Sequence, residues 1–167
     1  MKRTVDVFEL ARDAGSVEGQ LAAAELPRLS ALLAPPMGSI HFHFEGRIDD
    51  KGRSAADLRL EGSLGLKCDL CGGRLEWPLD ESSGFFFVDD ERELTALPIT
   101  AEGDEPLLGS HQFDLQDLVE EQTILALPIS PRHPLCETAP GAEEPEQGAS
   151  RPFAALAALK RGRTDIQ

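Results

Sequence analysis

Residues 38–79 read GSIHFHFEGRIDDKGRSAADLRLEGSLGLKCDLCGGRLEWPL. Ile40, Phe42, Phe44 and Ile48 alternate with His41, His43, Glu45 and Arg47, the period of a half-buried strand. Asp49, Asp50, Lys51 and Gly52 carry turn chemistry. Leu58, Leu60, Leu64 and Leu66 then alternate with Asp57, Arg59, Glu61, Ser63 and Lys67, which predicts a partner strand. After a cysteine-bearing segment at 68–73, Leu75, Trp77 and Leu79 alternate with Arg74, Glu76 and Asp80 to give a third. Consecutive strands joined by short turns define an antiparallel sheet, flat or curled into a partly open barrel.

Upstream, residues 4–10 alternate weakly and are expected to form a first strand, with a second extended piece over 16–21. Residues 22–34 look helical until Pro35 and Pro36 stop them. Downstream, the apolar run at 85–88 predicts a strand buried on both faces, and the acidic residues 89–110 a loop. Asp114 is placed as a helix N-cap. Leu115, Leu118, Val119, Gln122 and Ala126 then share one helical face, with Asp117 and Glu120 opposite. Ile124 and Leu127 spill onto the far side, so the last turn is expected to be buried all round before Pro128 ends it. The fold class is α+β: a sheet, a few helices packed on it, and a C-terminal extension. One domain is assigned to 1–136, a flexible linker rich in Glu, Pro and Gly to 137–150, and a short amphipathic tail to 151–167, with Phe153, Leu156 and Leu159 about one turn apart.

The 167 residues suffice for one domain with a core. Sixteen basic against thirty acidic side chains leave a net charge of −14. That argues against a broad basic surface that coats nucleic acid through phosphate neutralisation. Eight Phe, one Trp and no Tyr argue against a large stacking platform. Three cysteines cannot all pair, which favours a reducing, cytoplasmic setting over a disulfide scaffold. Asp6 and Glu9 interrupt the basic start, so no signal peptide is read there, and no apolar stretch approaches the roughly 20 residues of a membrane span.

Cys68 and Cys71 stand at the spacing that places two sulfurs on one tetrahedral metal, and the glycines that follow suit a tight knuckle. His133 and Cys136 repeat a two-residue gap and complete a Cys3His set for a structural zinc ion. A redox dithiol would need the second cysteine to enter a helix, whereas here two glycines and a strand follow. His41 and His43 share a strand face but continue into a solvated one. His111 is a lone loop histidine, and Asp89, Asp90 and Glu91 read as solvated surface. Phosphate-loop, nucleophile-elbow and dinucleotide signatures are absent, so no catalytic residue is assigned. Lys160, Arg161 and Arg163 form a small basic cluster that is a candidate phosphate contact.

Three blocks occur in register: the strand–knuckle–strand unit LEGSLGLKCDLCGGRLEWPL (60–79), the segment FDLQDLVEEQTILALPISPRHPLC (113–136) and the terminal RPFAALAALK (151–160). Together they resemble the YceD family, the large ribosomal RNA subunit accumulation proteins of bacteria and chloroplasts, most clearly over 38–161. The resemblance implies a non-enzymatic factor for synthesis, processing or stability of 23S rRNA. Its cysteine pair matches Cys68 and Cys71, and its later histidine and cysteine match His133 and Cys136. Some relatives carry further cysteines beyond this point, which this chain lacks. The partner implied is a precursor of the large subunit, reached through rRNA or through a basic ribosomal protein masked by the acidic surface. The competing readings are a redox-sensing or metal-binding dithiol protein and a metal-dependent RNA-processing enzyme using the acids near Asp89.

Overall fold

The computed structural model describes residues 4–97 and 103–136. The linker and tail assigned to 137–167, including Lys160, Arg161 and Arg163, lie outside the described residues.

A five-stranded sheet carries the domain. Its strands are β2 (Ser16–Ala22), β3 (Gly38–Ile48), β4 (Ser54–Lys67), β5 (Arg74–Val88) and β6 (Glu105–Leu108), side by side in chain order. The first four pair antiparallel and β6 runs parallel to β5. The α+β class stands, while the sheet is mixed rather than purely antiparallel. It does not close into a barrel: among the described residues β2 and β6 remain edges. A separate two-stranded ribbon pairs β1 (Thr4–Val5) with β7 (Phe113–Asp114).

The quoted stretch folds as its alternation dictates. Ile40, Phe42, Phe44, Leu58, Leu60 and Leu64 are buried on one face together with Leu79 and Phe85, while Ile48 is half exposed at the strand's end. Asp49 organises the β3–β4 turn by accepting from the Lys51 and Arg53 amides at 2.9 and 2.8 Å. The strands expected at 74–80 and 85–88 are one continuous strand. The polar residues between them stay extended because β4 offers an unbroken partner, Leu60 opposite Glu81 and Leu58 opposite Ser83.

Four expectations are corrected. Residues 4–10 are not one strand, because Asp6 accepts from the Phe8 and Glu9 amides, both at 3.0 Å, and starts helix α1 (Val7–Arg12). The helix packs on β3 at Gly46, where a Cβ would collide with the Leu10 carbonyl. The helical stretch at 22–34 shrinks to a 3-10 turn (Ala23–Glu25) and a four-residue α2 (Pro27–Ser30). Pro27 holds Leu26 extended and divides the run. The acidic segment after β5 is not all loop: Asp90 caps helix α3 (Glu91–Ala96) by accepting from the Glu93 amide at 2.8 Å. Leu94 of this helix and Leu97 just beyond it cover Ala55, Phe86 and Val88 on the sheet's second face, which is why the run at 85–88 is buried on both sides.

The fourth correction concerns helix α4 (Leu115–Ala126), which Asp114 does cap. Glu120 is only 5% exposed rather than on the solvent side. Its carboxylate accepts from the Arg28 and Leu29 amides at 2.6 and 3.0 Å and from the Arg28 guanidinium at 3.3 Å. A side chain 91 positions away thus caps α2, which has no side-chain cap of its own. The last turn is not buried all round, since Leu125 is 69% exposed. No described helix is long and apolar enough to cross a membrane.

Candidate metal centre

The β4–β5 connection, residues 68–73, is a knuckle closed by its own backbone. The Cys68 amide donates to the Gly73 carbonyl at 2.8 Å, and the Gly72 amide to the Cys68 carbonyl at 2.9 Å. Gly72 takes φ +72°, a left-handed conformation that glycine adopts without Cβ strain. The segment after α4 is fastened alongside: the Asp69 amide donates to the Pro131 carbonyl at 2.9 Å. Two chain segments more than sixty positions apart are thereby brought together.

They bring with them Cys68, Cys71, His133 and Cys136, whose ligand atoms all lie within 4.8 Å of one another. Cys68 Sγ is 3.6 Å from Cys136 Sγ, and Cys71 Sγ is 3.5 Å from His133 Nδ1. The 3.6 Å separation is far beyond a disulfide's roughly 2.05 Å. It is close to the edge of about 3.8 Å that a tetrahedron with Zn–S bonds of about 2.3 Å requires. His133 Nε2 donates to the Arg74 carbonyl at 3.0 Å. That bond fixes the tautomer and leaves the Nδ1 lone pair turned to the sulfurs, the outer-shell arrangement that metal-bound histidines use. The four residues fit a tetrahedral metal ion.

The electrostatics are those of three sulfurs and an imidazole gathered around one point. The Cys71 amide, assisted by those of His133 and Leu70, holds the Cys68 thiol down to about 5 against its burial. Burial first, then the neighbouring sulfurs, pushes Cys136 up to about 12. The Arg74 carbonyl, then the two thiols of the knuckle, raise His133. A cation at the centre would reverse the last two effects. Apolar side chains seal one side of the cage: Leu66, Leu75, Leu33, Trp77 and Leu127 pack with Cys68 and Cys136. No helix follows Cys71, so the pair lacks the N-terminal dipole that activates a redox dithiol.

The other candidates disperse. His41 and His43 lie on the outer face of β3, across from Gln20 and Glu18 on β2 and from Glu61 and Arg59 on β4. His111 Nδ1 lies 2.6 Å from Asp6 Oδ2, at the start of α1. Asp90 is spent on capping α3. Among the described residues, neither these histidines nor the acids near Asp89 join a group of three or more ligand side chains. The Arg74 carbonyl, the partner of His133, is the part of the site that sequence reasoning misses. Backbone groups carry no sequence signal, and only the register of the knuckle against β5 places this one.

A Cys3His cluster that could hold a metal ion closes the turn of a long hairpin on an α+β sheet, and its four side chains would fill a tetrahedral coordination shell without an open position. A family model described as "Large ribosomal RNA subunit accumulation protein YceD" matches residues 56–160, a span that contains all four cage residues. The chain belongs to the YceD family. No solved structure matches it.

Proposed function

We infer that this protein is a non-enzymatic accessory factor that supports 23S rRNA accumulation and assembly of the large ribosomal subunit in the cytoplasm. Its fold would be clasped by a structural zinc ion on Cys68, Cys71, His133 and Cys136. The family match carries the first half of this reading, and the convergence of four ligand atoms within 4.8 Å supports the second. Four protein ligands leave no open position for water or substrate, so the ion would tie the β4–β5 knuckle to residues 131–136 and do no chemistry. The partner is a large-subunit precursor, met through rRNA or a basic ribosomal protein, with Lys160, Arg161 and Arg163 as a candidate phosphate contact.

The test is the ratio of 23S to 16S rRNA and the sucrose-gradient profile in cells depleted of the protein. A selective fall in 23S rRNA with immature large subunits is expected, and an unchanged ratio would overturn the reading. Metal analysis of the purified protein tests the clasp: about one zinc per chain, lost in Cys68→Ser together with thermal stability. Loss of a reversible oxidation in that variant, without loss of metal or stability, would favour the dithiol reading instead, for which the 3.6 Å approach of Cys68 and Cys136 is the supporting observation.

A further inference from the structure

A groove of about 390 Å³ runs beside the metal centre, between the start of β5 and residues 132–134. Its apolar lining includes Trp77, Pro78 and Pro134, its charged lining is Arg74, Arg132 and Glu76, and His133 of the cage borders it. Trp77 is half-buried: it packs on the apolar side of the cage and also borders the groove. Among the described residues the neighbouring edge of β5 has no strand partner, because β6 pairs only with the strand's far end at Phe85, Phe86, Phe87 and Val88.

The charges here differ from those elsewhere on the sheet. Arg47 is held by Asp57 and Asp104, Arg59 by Glu61 and Asp80, and Arg53 by Asp49. Arg74 is shared between Glu76 and the Pro36 carbonyl. Arg132 is exposed and its side chain has no ion pair or hydrogen bond among the described residues, and the same holds for Lys67, directly across from Arg74 on β4. Among the described residues the one acid lining the groove is neutralised by Arg74, so the unspent charge they leave there is positive, on a chain of net charge −14. A half-buried indole beside a guanidinium that has no partner among the described residues, and a second fixed one, is the chemistry of a base-stacking site with a phosphate contact.

Building on the rRNA reading above, we propose that this groove binds single-stranded RNA, with one base stacked against Trp77 and the adjoining phosphate met by Arg132. The site is small, one or two nucleotides wide, which is compatible with the chain's low aromatic content. It places RNA contact at the metal-centre end of the molecule, and the metal clasp then has a second consequence: it sets the position of residues 132–134 and so builds one wall of the groove.

Trp77 is the single tryptophan of the chain, so all indole fluorescence comes from the groove's wall, and holding the metal content constant isolates the groove's share. Full-length protein with its metal complement is titrated with an oligoadenylate of about ten nucleotides. The expected result is saturable quenching that follows the same isotherm as the anisotropy of the labelled oligonucleotide. Arg132→Glu is expected to weaken binding about tenfold, and Arg132→Ala to lower the slope of log K against log salt by about 0.7, one phosphate contact on a single strand. Trp77→Leu is expected to weaken it about tenfold while Trp77→Phe retains most of it. Should Trp77→Leu fail to fold, the surface variant Arg132→Glu decides the outcome by itself. Binding without quenching, binding insensitive to Arg132→Glu, or quenching by oligolysine but not by RNA would each overturn the proposal. So would the absence of RNA binding in a protein whose depletion still lowers 23S rRNA, an outcome that leaves the accumulation role standing and points to a protein partner. Normal 23S rRNA on depletion would instead remove the accumulation role, whatever the oligonucleotide does.

Discussion

The β4–β5 hairpin, about 45 Å long if its strands are fully extended, ends in two regions held by different physics. At the knuckle end, four ligand side chains converge, and the apolar company is limited to Leu66, Leu75, Leu33, Trp77 and Leu127. At the far end, Phe85 and Phe87 enter the main core while Phe86 and Val88 turn to Ala55 and are covered by Leu94 and Leu97. The far end is held by burial on both faces and has no use for a metal. The knuckle end has little to bury and is braced by backbone hydrogen bonds, to which the proposed ion would add its bonds. The two ends should therefore respond to different perturbations.

The sharpest way to break that distinction is to weaken each end in turn. Phe85 is fully buried, and Phe85→Ala should cost about 3–5 kcal/mol in urea unfolding, through lost transfer energy and the cavity left behind. The loss should be the same with and without a chelator. Chelation of the wild type should remove the metal's contribution, about 4 kcal/mol when free zinc stands a thousandfold above its Kd. Cys68→Ser should sit at the chelated value and respond no further. Equal sensitivity of both ends to chelator would refute the division. Hydrogen exchange should localise the effect, with amides at 68–75 and near residue 131 losing protection on chelation while those of 85–88 keep theirs.

The two ends are also unequally legible in the sequence. The knuckle, the gathering of Cys68, Cys71, His133 and Cys136, and the strands flanking it follow from spacing and period-two alternation, because a shared site and the sheet pleat each impose a fixed repeat on the chain. The far end is legible only in its buried run. Helix α3 hides in an acidic stretch whose one helical signal is Asp90 ahead of Glu93, and β6 is four residues paired parallel through a connection that no local pattern announces. Glu120 misleads for the same reason. On a helical wheel it belongs to the solvent side, yet α2 comes to it, and tertiary placement decides. Asp6 carries a readable N-cap signal that the weak alternation of residues 4–10 obscures.

Glu120 tests whether the link between α2 and α4 belongs to either end. Glu120→Ala leaves the Arg28 and Leu29 amides without their acceptor and should cost about 1–3 kcal/mol. Glu120→Gln keeps an oxygen in place and should cost less. Because α2 and α4 pack between the two ends, on the core rather than the cage, the loss should be additive with chelation. A strong departure from additivity, measured as a double cycle with Cys68→Ser, would mean that α4 transmits strain to the segment it leads into at 128–136.

The smallest expected effect is one of pH, and it lies beside the far end, where the Gly109 amide donates to the Val88 carbonyl and the Val7 amide to the Ser110 carbonyl. The Asp6 carboxylate accepts from the Phe8 and Glu9 amides and faces His111 Nδ1 at 2.6 Å. The contact with His111 first, then the amide of Glu9, holds its carboxyl below the usual range. A depressed carboxyl contributes stability that is fully present above its unfolded pKa of about 3.9 and is lost as pH falls through the lower folded value. Asp6→Asn keeps an acceptor for the helix cap but removes the charge. Its urea midpoint should therefore lie slightly below the wild type's at neutral pH and converge with it below about pH 3. His111→Ala should reproduce part of the same convergence while leaving the cap intact. Acid also strips thiolate metal sites, so both comparisons are made in the Cys68→Ser background. A wild-type excess that persists unchanged into acid would show that Asp6 acts by capping alone.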